Sequence, residues 1–159
     1  MFVGEGVIRE MTLKFKELYL DTTYVMPFLF LDIDVKGFSR ETYKEIIKSI
    51  DKIHISEVSL IEAKAKSLKL NLQQKKVNEV FNESLSVLSS DDKVIIHRYI
   101  AQDDLKFNEF DTLQLDFFDR IILAQSASVG HLLTEDEKLL NLKNIGIKII
   151  NWKSLFKEI

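Results

Sequence analysis

The 159-residue chain has no cysteine, a single proline and only five glycines. Without cysteine it has no disulfides, no thiolate nucleophile, no iron–sulfur cluster and no cysteine-ligated zinc. The low proline and glycine content, with 46% hydrophobic and 30% charged residues, excludes a collagen-like, low-complexity or disordered chain. A chain of this length buries roughly two-thirds of its unfolded surface, so we expect one folded domain over residues 1–159.

Long hydrophobic runs are also missing. The longest, Val25–Leu31, is far shorter than the ~20 residues that span a bilayer. The N-terminus lacks the basic start and apolar stretch of a signal peptide, so we expect a cytoplasmic protein without a membrane segment. Met11 is an alternative start, because the organised pattern begins just after it.

Neither sign of charge dominates the composition. The chain has 22 Lys and Arg against 25 Asp and Glu, a formal net charge of −3. A mildly acidic chain has no general attraction for nucleic acid or acidic membranes. Binding to either must therefore come from a local patch.

Short β-branched runs alternate with longer amphipathic segments, which is typical of an α/β fold. The pattern predicts strands at residues 17–21, 52–56, 94–97, 131–134 and 145–150. It predicts helices at residues 22–31, 39–50, 57–70, 72–88, 116–128 and 136–141, and a loop at 107–115. Strands separated by helices in this way form a parallel sheet with right-handed crossovers.

Four carboxylates stand where predicted strands end or predicted helices begin. Asp21 ends the first strand, and Asp136 follows the strand that contains Thr134. Glu62 and Asp119 lie in early turns of two helices. Because strand C-termini and helix N-termini of a parallel α/β sheet open onto one edge, these acids are expected to converge.

Converging carboxylates predict a bound cation. Like-charge repulsion raises the free energy of such a cluster. Oxygen ligands without histidine or cysteine favour Mg²⁺ or Mn²⁺ over zinc, and these ions activate water and stabilise the leaving oxygen of a phosphodiester. The acids therefore indicate metal-dependent phosphoryl hydrolysis.

Four sequence blocks carry these acids. They are Asp21-Thr-Thr, Ser56-Glu-Val-Ser-Leu-Ile-Glu62, Asp116-Phe-Phe-Asp119-Arg-Ile-Ile-Leu-Ala-Gln-Ser-Ala127 and Leu132-Leu-Thr134-Glu-Asp136-Glu-Lys-Leu139. In this order, across about residues 17–152, they resemble the PIN-domain ribonucleases. The last two blocks are closest to PIN domains of the VapC toxin type.

The resemblance implies a three-layer α/β/α sandwich with a central parallel sheet in the strand order 3-2-1-4-5. It implies Mg²⁺- or Mn²⁺-dependent cleavage of RNA, either by the toxin of a toxin–antitoxin pair or by an RNA-processing nuclease. For a toxin, the implied partner is an antitoxin that blocks the acidic cleft with a basic side chain. A homodimer is also implied.

The resemblance also assigns roles to individual residues. The implied catalytic and metal-binding carboxylates are Asp21, Glu62, Asp119 and Asp136. Asp116, one helical turn before Asp119, is either an additional metal ligand or the helix N-cap. The expected substrate-binding residues are Thr22, Thr134 and Arg120.

Each acid also has a purely structural interpretation. Asp21 and Asp136 suit a turn or helix cap, Glu62 suits a solvated helix face, and Asp119 is placed to pair with Arg120. At the level of the whole protein, one alternative is a catalytically idle PIN scaffold that binds RNA or a protein.

A second alternative is a haloacid-dehalogenase-type phosphatase. Its first motif would be Asp32 and Asp34 after an apolar run, and its second would be Ser56. The three histidines are not expected to form a site. His54 is predicted to face solvent or a sheet edge, and His97 and His131 are predicted to sit at strand ends.

Overall fold

The computed structural model describes residues 13–70 and 74–156, so the alternative start at Met11 lies outside the described residues. The strands are β1 (Glu17–Leu20), β2 (Lys52–Ser56), β3 (Val94–His97), β4 (His131–Leu133) and β5 (Lys148–Ile150). They form one sheet in the order β3-β2-β1-β4-β5, and every neighbouring pair is parallel. The predicted fold class and strand order are confirmed.

Seven α-helices are found in the described part of the chain. They are α1 (Thr22–Val25), α2 (Arg40–Ser49), α3 (Glu57–Lys69), α4 (Gln74–Ser90), α5 (Ala101–Glu109), α6 (Phe117–Ser126) and α7 (Glu137–Leu140). The predicted start of α4 at Leu72 lies outside the described residues. Among the helices described, none is long and apolar enough to cross a membrane.

Two segments differ from the prediction. The segment 22–31 is not one helix, because Pro27 lacks the N–H that an α-helix needs and the chain continues as a 3-10 helix, Met26–Leu29. The segment 107–115 is not all loop, because α5 extends to Glu109. None of the side chains of α5 is fully buried, so its sequence lacks the apolar periodicity that marks a packed helix.

The two faces of the sheet carry separate hydrophobic clusters. One face contributes residues such as Leu18, Leu20, Ile53 and Ile55 to a cluster with α1 to α4. The other contributes Tyr19 and Leu132 to a cluster with α5, α6 and α7. Because helices cover both faces, the strands are buried on both sides. Their C-terminal edge stays open for a site.

The prediction that His54 faces solvent or a sheet edge is wrong. His54 is 7% exposed and lies on the Tyr19 face of the sheet, with the two ring centroids 6.4 Å apart. Its Nδ1 is 2.8 Å from Nε2 of His97, and its Nε2 is 3.1 Å from Oε2 of Glu17. Helices cover both faces of the sheet, so His54 is buried on one face just as its neighbours Ile53 and Ile55 are buried on the other. The hydrogen bonds to His97 and Glu17 compensate for the burial of its polar ring.

The histidine pair makes stability depend on pH. Burial, and then the charge of His54, lower the pKa of His97 below its usual 6.5. As the pH falls through 6.5 the unfolded state therefore binds its proton first, and the folded state loses stability. The His97→Gln variant has no group that titrates at this position. When the pH is lowered from about 7.5 to about 5.5, we therefore expect its free energy of unfolding to fall less than that of the wild type.

Urea-unfolding midpoints of both proteins at the two pH values measure this difference. Burial, and then Lys148, also lower the pKa of His131, but that effect is common to both proteins. An equal loss of stability in wild type and variant would contradict the assignment to His97.

Candidate active site

Asp21 occupies the C-terminal end of the central strand. Its backbone N–H donates to the carbonyl of Leu133 at 3.0 Å, which continues the parallel ladder. Asp21 is 8% exposed, and its carboxylate is held at both oxygens. Oδ1 accepts from the N–H of Thr22 at 2.7 Å, and Oδ2 accepts from the hydroxyl of Thr134 at 2.6 Å. Asp21 thus caps α1, and its position at the sheet edge is fixed by three hydrogen bonds.

Thr134 joins two of the predicted acids. Its side chain is fully buried, and while its hydroxyl donates to Asp21 its Oγ1 accepts from the N–H of Asp136 at 3.0 Å. Asp136 in turn caps α7, where Oδ1 accepts from the N–H groups of Lys138 and Leu139 at 2.8 and 3.2 Å. The cap interpretation of Asp136 is correct, and both cap bonds use the same carboxylate oxygen.

Glu62 lies on α3, and its side chain contacts Thr22, the residue that follows Asp21 at the C-terminal edge of the sheet. Its Oε2 lies 2.5 Å from Oγ1 of Thr22, which also lies 3.1 Å from Oγ of Ser59. Glu62 is therefore not simply a solvated charge. Ser59 is fully buried, and sequence reasoning missed it. The available signal was its position three residues before Glu62, which places both side chains on one face of α3.

Asp116 and Asp119 lie at the start of α6. Asp116 is the N-cap, and its Oδ1 accepts from the N–H of Asp119 at 2.8 Å. Burial, and then the neighbouring charges of Asp116, Asp21 and Asp136 in that order, raise the pKa of Asp119 to about 7. Asp119 therefore lies within electrostatic reach of the other acids, in agreement with the shared edge that a parallel α/β sheet predicts.

The pKa of Asp21 is raised for related reasons. Burial is the largest cause, hydrogen bonds from Thr134 and Thr22 oppose it, and the charges of Glu62 and Asp136 add to it. All four predicted acids, together with Asp116, therefore lie in one electrostatic neighbourhood. Whether they are the catalytic and metal-binding set stays a prediction.

Ion pairs to lysine or arginine are absent from these five acids within residues 13–70 and 74–156. Arg120 pairs with Asp111 instead of Asp119, and its guanidinium lies 3.9 Å from the ring centroid of Phe107. The interpretation of Asp119 and Arg120 as an ion pair is wrong, and the role of Arg120 in substrate binding remains a prediction.

The donor chemistry fits a hard divalent cation. The side chains are all carboxylates, the ligand type that suits Mg²⁺ and Mn²⁺, and no ion pair in the described part of the chain offsets their mutual repulsion. Within residues 13–70 and 74–156, however, no group of three or more His, Asp or Glu side chains is close enough to hold one ion.

Glu135 is a second residue that sequence reasoning missed. Its Oε1 accepts hydrogen bonds from the hydroxyl of Tyr24 and, at 3.2 Å, from the N–H of Trp152. These bonds attach the segment between Thr134 and Asp136 to α1 and to the C-terminal 3-10 helix. Nothing in the sequence distinguishes Glu135 from its exposed neighbour Glu137, because both partners come from distant parts of the chain.

The phosphatase alternative receives no support from the geometry. The apolar run before Asp32 ends in a 3-10 helix and not in a strand. Asp32 is largely exposed and pairs with Arg40 at 2.6 Å. Ser56, which would be the second phosphatase motif, caps α3, where its hydroxyl accepts from the N–H of Val58 at 3.2 Å.

The fold and site together define a parallel α/β protein with a carboxylate cluster at the C-terminal edge of its central strand. No protein-family model matches the chain, and no curated protein matches it in sequence. Its fold is similar to a chain in the crystal structure of VapBC2 from Rickettsia felis bound to a DNA fragment from their promoter. The TM-score is 0.63 at 16% identity, over 86% of this chain and 98% of that chain. At that identity the likeness shows the fold alone.

Proposed function

We propose that the protein is an endoribonuclease that hydrolyses RNA phosphodiester bonds with Mg²⁺ or Mn²⁺ bound among Asp21, Glu62, Asp119 and Asp136. The observation that carries the proposal is the cluster of acids around Asp119, to which no lysine or arginine of the described residues forms an ion pair. The pKa of Asp119 is raised to about 7 by burial and by three neighbouring carboxylates. Gathering these charges without a counter-ion is unfavourable, which is the situation that a bound cation relieves.

Two further observations support a nuclease over other metal-dependent hydrolases. The four acid-bearing blocks follow the order of the PIN-domain ribonucleases. The strand order 3-2-1-4-5, shared with the order that the resemblance implies, and the likeness of the fold to the VapBC2 chain also support the proposal. The toxin-type blocks also support an antitoxin partner that covers the carboxylates, and a homodimer.

The chain's own residues have distinct tasks in this proposal. A bound divalent ion supplies Lewis-acid activation of water and neutralises charge on the scissile phosphate. Thr134 and the N–H of Thr22 hold the carboxylate of Asp21 in one orientation. The hydroxyl of Thr22 donates to the carboxylate of Glu62 and orients it in the same way. Because its pKa is raised to about 7, the carboxyl of Asp119 carries a proton in part of the molecules near neutral pH, and a cation held by these residues would favour release of that proton.

The test uses purified protein on a mixed RNA pool and on a phosphomonoester, with Mn²⁺, Mg²⁺ or EDTA. We expect RNA cleavage that requires metal and disappears in Asp21→Asn, with no phosphomonoester hydrolysis. Asp34→Asn, at an exposed carboxylate in the 32–39 loop, is the matched control and should cleave like the wild type. Full activity of Asp21→Asn would refute the site.

A catalytically idle scaffold is the second candidate function. The observation in its favour is that, within residues 13–70 and 74–156, no group of three or more His, Asp or Glu side chains is placed to hold one ion. Calorimetric titration with Mn²⁺ separates the two candidates, because an idle scaffold need not bind the ion. Absence of both Mn²⁺ binding and RNA cleavage would favour the scaffold. Mn²⁺ binding without cleavage would point to a masked or highly selective nuclease.

A further inference from the structure

Glu135 stands in the chain between two residues of the carboxylate site. The hydroxyl of Thr134, just before it, donates to Asp21, and Asp136, just after it, caps α7. The charges that raise the pKa of Asp21 come from Glu62 and Asp136, and the charge of Glu135 is not among them. Glu135 is thus a neighbour of the acids along the chain, and its carboxylate is used for bonds within the protein.

One oxygen of Glu135 joins two distant elements. Oε1 accepts from the hydroxyl of Tyr24 on α1 and, at 3.2 Å, from the N–H of Trp152. Trp152 begins the C-terminal 3-10 helix, Trp152–Leu155, which follows β5. Both donors come from segments far from residue 135 in sequence. The two bonds therefore fix the position of the segment 134–136 relative to both ends of the fold.

Tyr24 is a rigid donor beside the site. It is fully buried, its ring packs edge-to-face on Phe38 at a centroid distance of 5.5 Å, and its N–H donates to the carbonyl of Asp21 at 2.9 Å. Burial raises the pKa of Tyr24 most, the hydrogen bond to Glu135 and the charge of Glu135 come next, and the charge of Asp21 adds to them. The hydroxyl therefore keeps its proton at neutral pH and remains a donor to Glu135.

The segment 134–136 leaves the sheet where the site begins. The N–H of Thr134 still donates to the carbonyl of Ile150 at 2.9 Å, which continues the pairing with β5. Beyond Thr134 the backbone has left the named strands. The N–H of Asp136 turns back to the hydroxyl of Thr134 at 3.0 Å. Glu135, between these two, supplies the side-chain bonds that tie this turn to α1 and to the C-terminal 3-10 helix.

We propose that Glu135 is a positioning residue of the carboxylate site. By holding the segment 134–136 against Tyr24 and Trp152, it orients Asp136 and the Thr134 hydroxyl that fixes Asp21. The inference rests on the proposed nuclease function and deepens it, because it names a residue on which the site depends without being one of its metal ligands. Both partners are donors, so the role requires an acceptor oxygen and not a negative charge.

The first test compares three variants in steady-state RNA cleavage with Mn²⁺ and in calorimetric titration with Mn²⁺. For Glu135→Ala we expect kcat or the affinity for Mn²⁺ to fall about 10- to 100-fold, with little change in KM for RNA. Glu135→Gln keeps an acceptor oxygen for both donors and should restore most of the loss. Glu137→Ala removes the same side chain at an exposed position of α7, and it is the matched control that should behave like the wild type.

The second test reads the site directly, without RNA or metal. Hydrogen exchange measured by NMR follows the N–H of Asp136, bonded to Thr134, and the N–H of Thr22, bonded to Asp21. In Glu135→Ala both should exchange about 2- to 10-fold faster, while the amides of β2 do not change. Tyr24→Phe removes one of the two bonds to Glu135 and should shift both amides in the same direction, so the test also stands if Glu135→Ala does not fold.

Two outcomes would overturn the inference. One is a loss of thermal stability in Glu135→Ala with kcat, Mn²⁺ affinity and both amides unchanged, which would make Glu135 a stabilising residue only. The other is a Glu135→Gln variant as impaired as Glu135→Ala, which would show that the charge and not the acceptor matters.

Failure of the proposed function gives a different result, because the amide measurement needs no activity. A wild type that neither cleaves RNA nor binds Mn²⁺, with faster exchange at Asp136 and Thr22 in Glu135→Ala, would refute the nuclease and uphold the positioning role. Equal cleavage and equal exchange in the wild type and Glu135→Ala would uphold the nuclease and refute the positioning role.

Discussion

Asp119→Asn is expected to abolish RNA cleavage and at the same time to stabilise the metal-free protein. The loss of activity should be at least about 100-fold, since even residues behind metal ligands typically cost 10- to 100-fold when removed. The gain in stability follows from the pKa of Asp119, which rises from its ordinary 3.8 to about 7 in the folded protein. Opposite effects on activity and stability are expected where charges are gathered for function.

The sign of the stability effect depends on pH. Between about pH 4 and pH 7 the folded protein binds more protons at Asp119 than the unfolded chain does, so stability is lost as the pH rises through this window. The Asp119→Asn variant has no carboxyl at this position, so its stability does not fall in this way as the pH rises. Because the carboxyl is only partly buried, we expect a gain of about 1 kcal/mol above pH 7, or about 2–4 °C in Tm.

Thermal unfolding at several pH values, with and without Mn²⁺, measures both parts of this expectation. The difference in Tm between variant and wild type should vanish near pH 4, where both forms of residue 119 are uncharged. Added Mn²⁺ should stabilise the wild type and not the variant. A variant that is less stable than the wild type above pH 7 would show that the acids are not in repulsive contact. The surface variant Asp34→Asn controls for a general effect of net charge.

Thr134→Val is expected to destabilise the protein by about 1–3 kcal/mol. Valine has nearly the same shape, but it removes the donor to Oδ2 of Asp21 and the acceptor of the Asp136 N–H. Residue 134 is fully buried, so water cannot replace either partner. Urea unfolding with an unchanged m-value measures the loss.

Thr134→Ser is the matched control for this prediction. It keeps the hydroxyl and removes one methyl group, which costs about 0.8 kcal/mol or slightly more when buried. Serine should also preserve cleavage, whereas valine should reduce it by releasing Asp21. Equal stability of the Val and Ser variants would show that the hydroxyl does not join the two acids.

Local features of the fold were predictable because their causes are local. Serine is a common helix N-cap, and the side chain of Ser39 accepts from the N–H of Thr42 at the start of α2. Glycine suits a positive φ, and Gly130, with a φ of 86°, closes the turn after α6 with a bond from its N–H to the carbonyl of Ser126. The helix α5 was missed because its stability comes from contacts with α6, which leave no apolar periodicity in its own sequence.

The candidate site was predictable to the level of its sheet edge. The rule that strand C-termini share one edge placed Asp21 and Asp136 together before any coordinates. The hydroxyl that joins them could not be derived, since Thr134 and Asp21 are 113 residues apart in the chain. The same holds for Arg120, whose choice of Asp111 over Asp119 depends on where the turn after α5 brings residue 111.

The parallel α/β class and the edge at which the acids meet follow from the amino-acid sequence, because hydrophobic periodicity and the direction of the chain depend on residue type and spacing alone. The strand order was implied by the family resemblance. The packed structure was needed to show that His54 is buried beside His97, that no ion pair among the described residues neutralises the acids, and that Phe117 and Phe118 are exposed. Each of these depends on which distant segments cover a residue, and burial of that kind is a property of the packed chain.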